Sequence, residues 1–196
     1  MKTIYLDHAA TTPMAKEVIV RMTEAMERVY GNASSIHTAG REARKFLDEA
    51  RSILAHSINA STNEIIFTSG GTEADNMAIF GTAYARKLEG KHIITTQIEH
   101  HAVLHACEKL EKEGFDVTYL PVDEYGCVRV EDVAAALRED TILVTIMYGN
   151  NEVGTIQPIR HIGELLKDNK ATYHTDAVQA FGIESLDVQA IGEALL

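Results

Sequence analysis

Disulfides, membrane spans, metal motifs and a surplus of basic charge are all missing from this sequence. Cys107 and Cys127 are too few for a disulfide framework and show no CxxC spacing, so a stapled secreted scaffold is excluded and a reducing compartment fits. No apolar run approaches the roughly 20 residues that cross a bilayer. The start Met1-Lys2-Thr3-Ile4-Tyr5-Leu6-Asp7 lacks the apolar core of a signal peptide. A cytoplasmic protein with no membrane partner is expected. With 29 acidic against 18 basic residues, the formal net charge of -11 also sets the chain against nucleic acid, which would repel it. There is no HExxH, and His101 and His105, four apart on one helix, find no third ligand; no metal is expected. What is present is an ordinary globular composition, 45% hydrophobic and 24% charged over 196 residues, long enough for one domain with a sizeable core.

Residues 1–14 read as an N-terminal arm and residues 15–196 as a single domain. A helix is predicted over 15–30, with Val18, Met22, Met26 and Val29 on one face and the methionines as core filler, stopping at Gly31-Asn32. A polar loop, 32–40, precedes a long helix ending near Ile58, in which Ala43, Leu47, Ala50 and Leu54 are spaced as a buried stripe. Asn32 and His37 in that loop have no readable partner. From residue 64 strands alternate with helices: strands at 64–68, 92–96, 116–120, 141–147 and 171–175, helices at 72–88, 100–113, 130–137 and 159–168. That alternation, with near-continuous apolar strands such as Ile142-Leu143-Val144-Thr145-Ile146, predicts an α/β fold with a parallel-dominated sheet flanked by helices. The last residues, Ala194-Leu195-Leu196, have the pattern of a strand cut short, so an incomplete domain is expected.

The stretch around which the chain is organised is Phe67-Thr68-Ser69-Gly70-Gly71-Thr72-Glu73-Ala74-Asp75-Asn76. Two glycines allow a sharp turn and close approach of backbone, and the first N–H groups of the following helix have no partner within it. Together with the helix dipole they form an anion cradle. The competing reading makes Thr72 a plain N-cap with Asp75 closing a capping box, and needs no ligand.

Ligands of parallel α/β sheets bind beyond the carboxyl ends of the strands. Here those ends carry Gly70, Gly71 and Thr72; Glu99, His100 and His101; Asn150, Asn151 and Glu152; and Asp176 and Gln179. Four polar clusters on one rim point to a polar small molecule with an anionic group. Asp176 follows a strand expected to be buried, and a lone buried carboxylate needs a cation, a metal or several donors. A partner elsewhere in the fold or the protonated heterocyclic nitrogen of a cofactor would each answer that need. His100 is placed to stack its ring on an aromatic ligand, whereas His101 and His105 read as a solvated face. Cys107 falls on an apolar stripe and Cys127 lacks a positioned base, so neither is a nucleophile candidate. His8, His56, His92, His161 and His174 read as structural.

Six motifs in order, Tyr5 to Pro13, Asn32-Ala33-Ser34-Ser35 with His37 and Gly40, Phe67 to Asn76, Glu99-His100, Gly149 to Gly154 and His174 to Gln179, together resemble a cysteine desulfurase. The resemblance implies the large domain of a fold type I, class V aminotransferase-like enzyme that binds pyridoxal 5'-phosphate and works as a homodimer. It implies L-cysteine as substrate, L-alanine as product, and transfer of the sulfur to an acceptor or scaffold protein for iron-sulfur cluster or thio-cofactor synthesis. By the same resemblance Gly71 and Thr72 would hold the phosphate, and His100, the catalytic candidate, would stack on the ring. Asp176 would pair with the ring nitrogen, and Asn151 and Gln179 would contact the ring hydroxyl. The family's Schiff-base lysine, persulfide cysteine and substrate-binding arginine match nothing here. By the same resemblance the C-terminal small domain is expected to be absent and the chain to correspond to the N-terminal half of such an enzyme, inactive alone. A non-catalytic remnant, one subunit of a split enzyme, and another class V enzyme such as an aminotransferase or selenocysteine lyase are the alternatives.

Overall fold

The computed structural model describes residues 4–192 and 194–196. The opening Met1-Lys2-Thr3 and Glu193 of the chain's ending lie outside the described residues. The chain divides into two compact units, Met1–Ile65 and Ile66–Leu196.

The first unit holds α1 (Lys16–Arg28), α2 (Thr38–Ser57) and a 3-10 turn at Thr62–Glu64. Both long helices form where their periodicity predicts them, but the expected burial does not follow. No residue of α1 is buried, Met22 and Met26 are 46% and 72% exposed, and α2 buries only Gly40, Ala43 and Ala55. The methionines are therefore not core filler, and Leu47 of the expected stripe is exposed. The polar loop ahead of α2 is held locally. The Asn32 carboxamide oxygen accepts from the Ser34 N–H at 2.9 Å, and His37 caps α2 by accepting from the Gly40 N–H at 3.3 Å.

The second unit runs α3 (Gly71–Arg86), β1 (His92–Thr96), α4 (His101–Lys112), β2 (Asp116–Leu120), α5 (Val130–Ala136), β3 (Thr141–Thr145), α6 (Ile159–Leu166), β4 (Thr172–His174) and α7 (Val188–Ile191). The four strands form one parallel sheet in the order β2-β1-β3-β4. Every residue of β1 and β3 is buried, as the apolar runs require of central strands covered on both faces. The core joins Ile79 and Ala83 of α3, Val103, Cys107 and Leu110 of α4, and Ile93, Ile142 and Leu143 of the sheet. Cys107 is fully buried there, and burial pushes its thiol up to about 12, which removes it as a nucleophile.

Two sequence expectations are corrected. The run Glu64-Ile65-Ile66-Phe67 forms no strand: Glu64 closes the 3-10 turn, and Ile66 and Phe67 are 67% and 45% exposed. Its residues favour extended backbone, but a strand also needs a neighbour to bond with. The α3 N-terminus has no Thr72 and Asp75 capping box: Gly70 is the N-cap, and Ser69 donates from its N–H and Oγ to the Glu73 carboxylate, each at 2.6 Å. At the other end of the chain, Leu195 bridges His174 in parallel. The Thr175 N–H donates to the Leu195 carbonyl and the Leu195 N–H to the Tyr173 carbonyl, both at 2.9 Å, so the apolar ending continues the sheet beyond β4.

Candidate functional site

The strand order creates the place for a ligand. The chain leaves β1 for β2 on one side and returns past β1 to β3 on the other, so the loops after β1 and β3 diverge and open a crevice at the carboxyl edge. Right-handed crossovers send helices to opposite faces, and α3 accordingly packs with α4 while α5 packs with α6.

The loop after β1 carries Glu99 and His100. Glu99 is buried, accepts from the Thr96 hydroxyl at 2.6 Å, and takes the Met147 N–H at 3.1 and 3.0 Å on its two oxygens. Desolvation pushes its carboxyl up to about 8 despite those donors. A second strap runs the same way, from the Asn150 amide to the Ile98 carbonyl at 3.0 Å. The two loops beside the crevice are thus tied across it. His100 caps α4, its Nδ1 accepting from the Ala102 N–H at 3.1 Å, and remains exposed at the rim. His101 and His105 are exposed on α4 with rings stacked 5.4 Å apart, the solvated face that was expected.

Asn150 also shapes the loop after β3, since its oxygen accepts from the N–H groups of Glu152 and Val153 at 2.9 Å each. That turn sets Asn151 half-buried at the rim. The backbone beyond β4 lies alongside: the Tyr148 N–H donates to the Asp176 carbonyl at 2.8 Å, and a Cβ on Gly149 would meet the Gln179 Cβ at 3.8 Å. Asp176 is buried and accepts from the Val178 N–H at 3.0 Å. Val178 in turn fixes the glycine turn. A Cβ on Gly71 would meet the Val178 side chain at 2.7 Å, so glycine lets the start of α3 come this close to the Asp176 loop without displacing that side chain. The Glu73 and Ala74 N–H groups bond the Gly70 carbonyl, while those of Gly71 and Thr72 lie ahead of the helical ladder, where an anion is favoured.

The structure therefore brings Gly71, His100, Asp176 and Gln179 to one rim, with Thr72 beside Gly71 and Asn151 on the loop next to Gln179. Sequence reasoning missed Asp75. It is buried on α3, and one polar atom each of Asp75, His100 and Asp176 lie within 4.8 Å of one another. Burial, and secondarily the Asp176 charge, push its carboxyl up to about 7. His174, read as merely structural, stands behind the pair. Its Nε2 is 3.7 Å from Asp75 Oδ1 and its Nδ1 shares a 2.8 Å hydrogen bond with the Thr145 hydroxyl. Burial lowers that imidazole to about 4, so it is neutral near pH 7 and supplies no countercharge. The signal was in the pattern, because Asp75, Ile79 and Ala83 follow at four-residue spacing and both companions are fully buried. Away from the rim, a surface hollow of the first unit holds Arg44, Lys45, Asp48 and Glu49. Those charges pair within α2, at 3.0 Å for Arg44 and Asp48 and 3.7 Å for Lys45 and Glu49.

A parallel α/β unit with unpaired N–H groups at a helix start and two buried carboxylates across the crevice has the chemistry to receive an anionic group beside a cation. The family model for class-V aminotransferases matches residues 4–195, and the chain belongs to that family. Its members are pyridoxal-phosphate-dependent enzymes. Among curated relatives, the putative cysteine desulfurase IscS 1 of Bacillus subtilis (strain 168) is 65% identical over 189 residues, 96% of this chain and 50% of that protein. The cysteine desulfurase IscS of Methanosarcina thermophila is 52% identical over 195 residues, 100% of this chain and 48% of that protein. Among solved structures, SspA in complex with cysteine matches with a TM-score of 0.92 at 41% identity, covering 96% of this chain and 55% of that one. A NifS-like protein matches with a TM-score of 0.93 at 38% identity, covering 96% and 52%. The chain spans about half the length of the curated relatives it matches.

Proposed function

We propose that this chain carries the cofactor-binding surface of a cysteine desulfurase, with pyridoxal 5'-phosphate as its ligand and L-cysteine as the substrate of the whole enzyme. The observation that carries the reading is the buried pair Asp75 and Asp176: among the described residues neither makes an ion pair with a Lys or Arg, and a cationic ring would supply the missing charge. The residues fit the group. The N–H groups at Gly71 and Thr72 would take its phosphate, His100 would lie against its ring, Asp176 would hold its ring nitrogen protonated, and Asn151 and Gln179 would reach its hydroxyl. When bound, the cofactor supplies an electron sink for a carbanion at the substrate's Cα.

In this chain the lysines of the second unit, Lys87, Lys91, Lys109, Lys112, Lys167 and Lys170, are all exposed. None lies in the rim loops, so none is offered as the covalent anchor, and Lys2 lies outside the described residues. Sulfur transfer to an acceptor protein, a homodimer and a cytoplasmic setting belong to the same reading. Among the described residues no helix is long and apolar enough to cross a membrane.

The test is titration of the chain with pyridoxal 5'-phosphate, followed by absorption. Loss of a charge-assisted bond worth about 1.5–3 kcal/mol predicts that Asp176→Ala weakens binding by about tenfold to a hundredfold, and Gln179→Ala by less. Equal effects of the two substitutions would remove the assigned role. Supplied with cofactor and L-cysteine, the 196-residue chain should form no alanine or sulfide beyond background; sustained turnover would overturn the reading that none of these lysines serves as the covalent anchor.

A further inference from the structure

We propose that Asp75 and Asp176 form a buried carboxylate pair that carries one proton and releases it to solvent when a cationic ring is seated beside it, making Asp75 a positioning residue for that ring. The inference rests on the cofactor reading above and extends it to the protonation of Asp75 and its response to the ring.

The geometry comes from three elements. Asp75 projects from the second turn of α3 on the same buried stripe as Ile79 and Ala83, so its carboxylate is carried into the sheet's carboxyl edge rather than out to water. Asp176 reaches the same spot from the end of β4, and His100 from the loop before α4, with one polar atom of each within 4.8 Å of the others. The ionisable groups facing Asp75 are His174 on β4, Asp176 beyond it, and His100 and Glu99 on the loop after β1. His174 is neutral near pH 7, and Asp176 and Glu99 are acids. Two buried carboxylates this close do not both stay ionised unless a cation joins them, so one retains a proton. Burial and the Asp176 charge push Asp75 up to about 7, which makes it the holder of that proton.

A positively charged ring beside the pair reverses the balance. The Asp75 O–H bond breaks, the proton passes to the buffer, and both carboxylates face the cation. Pair and cation are therefore linked: each unit by which the ring lowers the Asp75 midpoint corresponds to about tenfold tighter binding to the ionised pair than to the protonated one. The sign is set by the raised carboxyl. Below about pH 6 Asp75 is neutral and the ring is held more weakly; above about pH 8 it is charged and the ring is held more tightly.

The experiment is a carbon-13 NMR titration of aspartate carboxyls in the full chain, with Asp75→Asn to assign the resonance and Asp176→Asn as a second variant. It is run free, with pyridoxal 5'-phosphate, and with inorganic phosphate, while absorption reports cofactor binding independently. Asp75 should titrate near 7 in the free chain, and lower in Asp176→Asn. It should fall by at least about one unit, a tenfold linkage, when pyridoxal 5'-phosphate saturates the chain. Phosphate, which fills only the anion cradle, should leave it in place. The Asp75→Asn chain should bind pyridoxal 5'-phosphate with a flatter pH dependence. An Asp75 midpoint below 5 in the free chain, or one unmoved at saturation, overturns the inference. A midpoint near 7 with no pyridoxal 5'-phosphate binding overturns the cofactor reading itself, and the inference with it.

Discussion

The two units of this chain use similar helices to opposite effect. α1 and α2 are amphipathic and form where their periodicity puts them, yet among residues 4–65 the buried side chains are small and the large apolar ones are at best half-buried, with Val20 at 67% and Met26 at 72% exposed. In residues 66–196 shorter helices such as α6 bury Ile159, Ile162 and Leu166 almost completely. The difference is the sheet. A parallel sheet offers two apolar faces at a fixed spacing, and each helix on it meets a surface that removes its stripe from water. A helix pattern states which face needs cover; it does not provide the cover.

Substitutions can break that comparison, and the largest contrast comes first. Leu143→Ala in the centre of β3 should destabilise the chain by about 2–5 kcal/mol in urea unfolding, whereas Met26→Ala on α1 should stay within about 0.5 kcal/mol. Similar losses from both would mean that α1 is packed in solution. A smaller effect comes from the strap between the loops. The Glu99 carboxyl is raised from 4.5 to about 8, so the folded chain keeps a proton that the unfolded chain gives up, and this contribution to stability is full below pH 4.5 and lost as pH rises to 8. Glu99→Gln should flatten the fall in melting temperature across that window and keep the Met147 bond; an unchanged slope would show that Glu99 is ionised in the folded chain. The smallest effect is expected at Thr95, whose hydroxyl is buried in β1 without a partner among the described residues. Thr95→Val should raise stability by about 1 kcal/mol in thermal unfolding, and a loss there would reveal a bonded hydroxyl.

The strand and helix alternation from residue 92 onward was readable to within a few residues because each strand is a short apolar run bounded by polar turns, and β2 was placed at its observed bounds, 116–120. Where strands do form, the rim was readable for a related reason: polar residues directly after the apolar strands β1, β3 and β4 have few places to go in a parallel sheet. The run 64–68 failed because β propensity is local and pairing is not. Asp75 was missed because its spacing from Thr72 suggested a capping box, whereas its surroundings depend on Asp176, far along the chain. His174 holds the structural place expected of it, although nothing local shows that its imidazole lodges between Thr145 and Asp75.

By itself the sequence determined the parallel α/β class, the glycine turn, the rim residues and the family, because these follow from hydrophobic period, chain order and motifs read within short windows. Only the tertiary structure decided which helices find cover, which of the predicted strands gains a partner, and that two acids far apart in the chain meet beside one another with no Lys or Arg paired to them among the described residues. Those outcomes depend on which surfaces come together and how much water they exclude, and a carboxylate's charge is set by that exclusion rather than by the residues beside it in the chain.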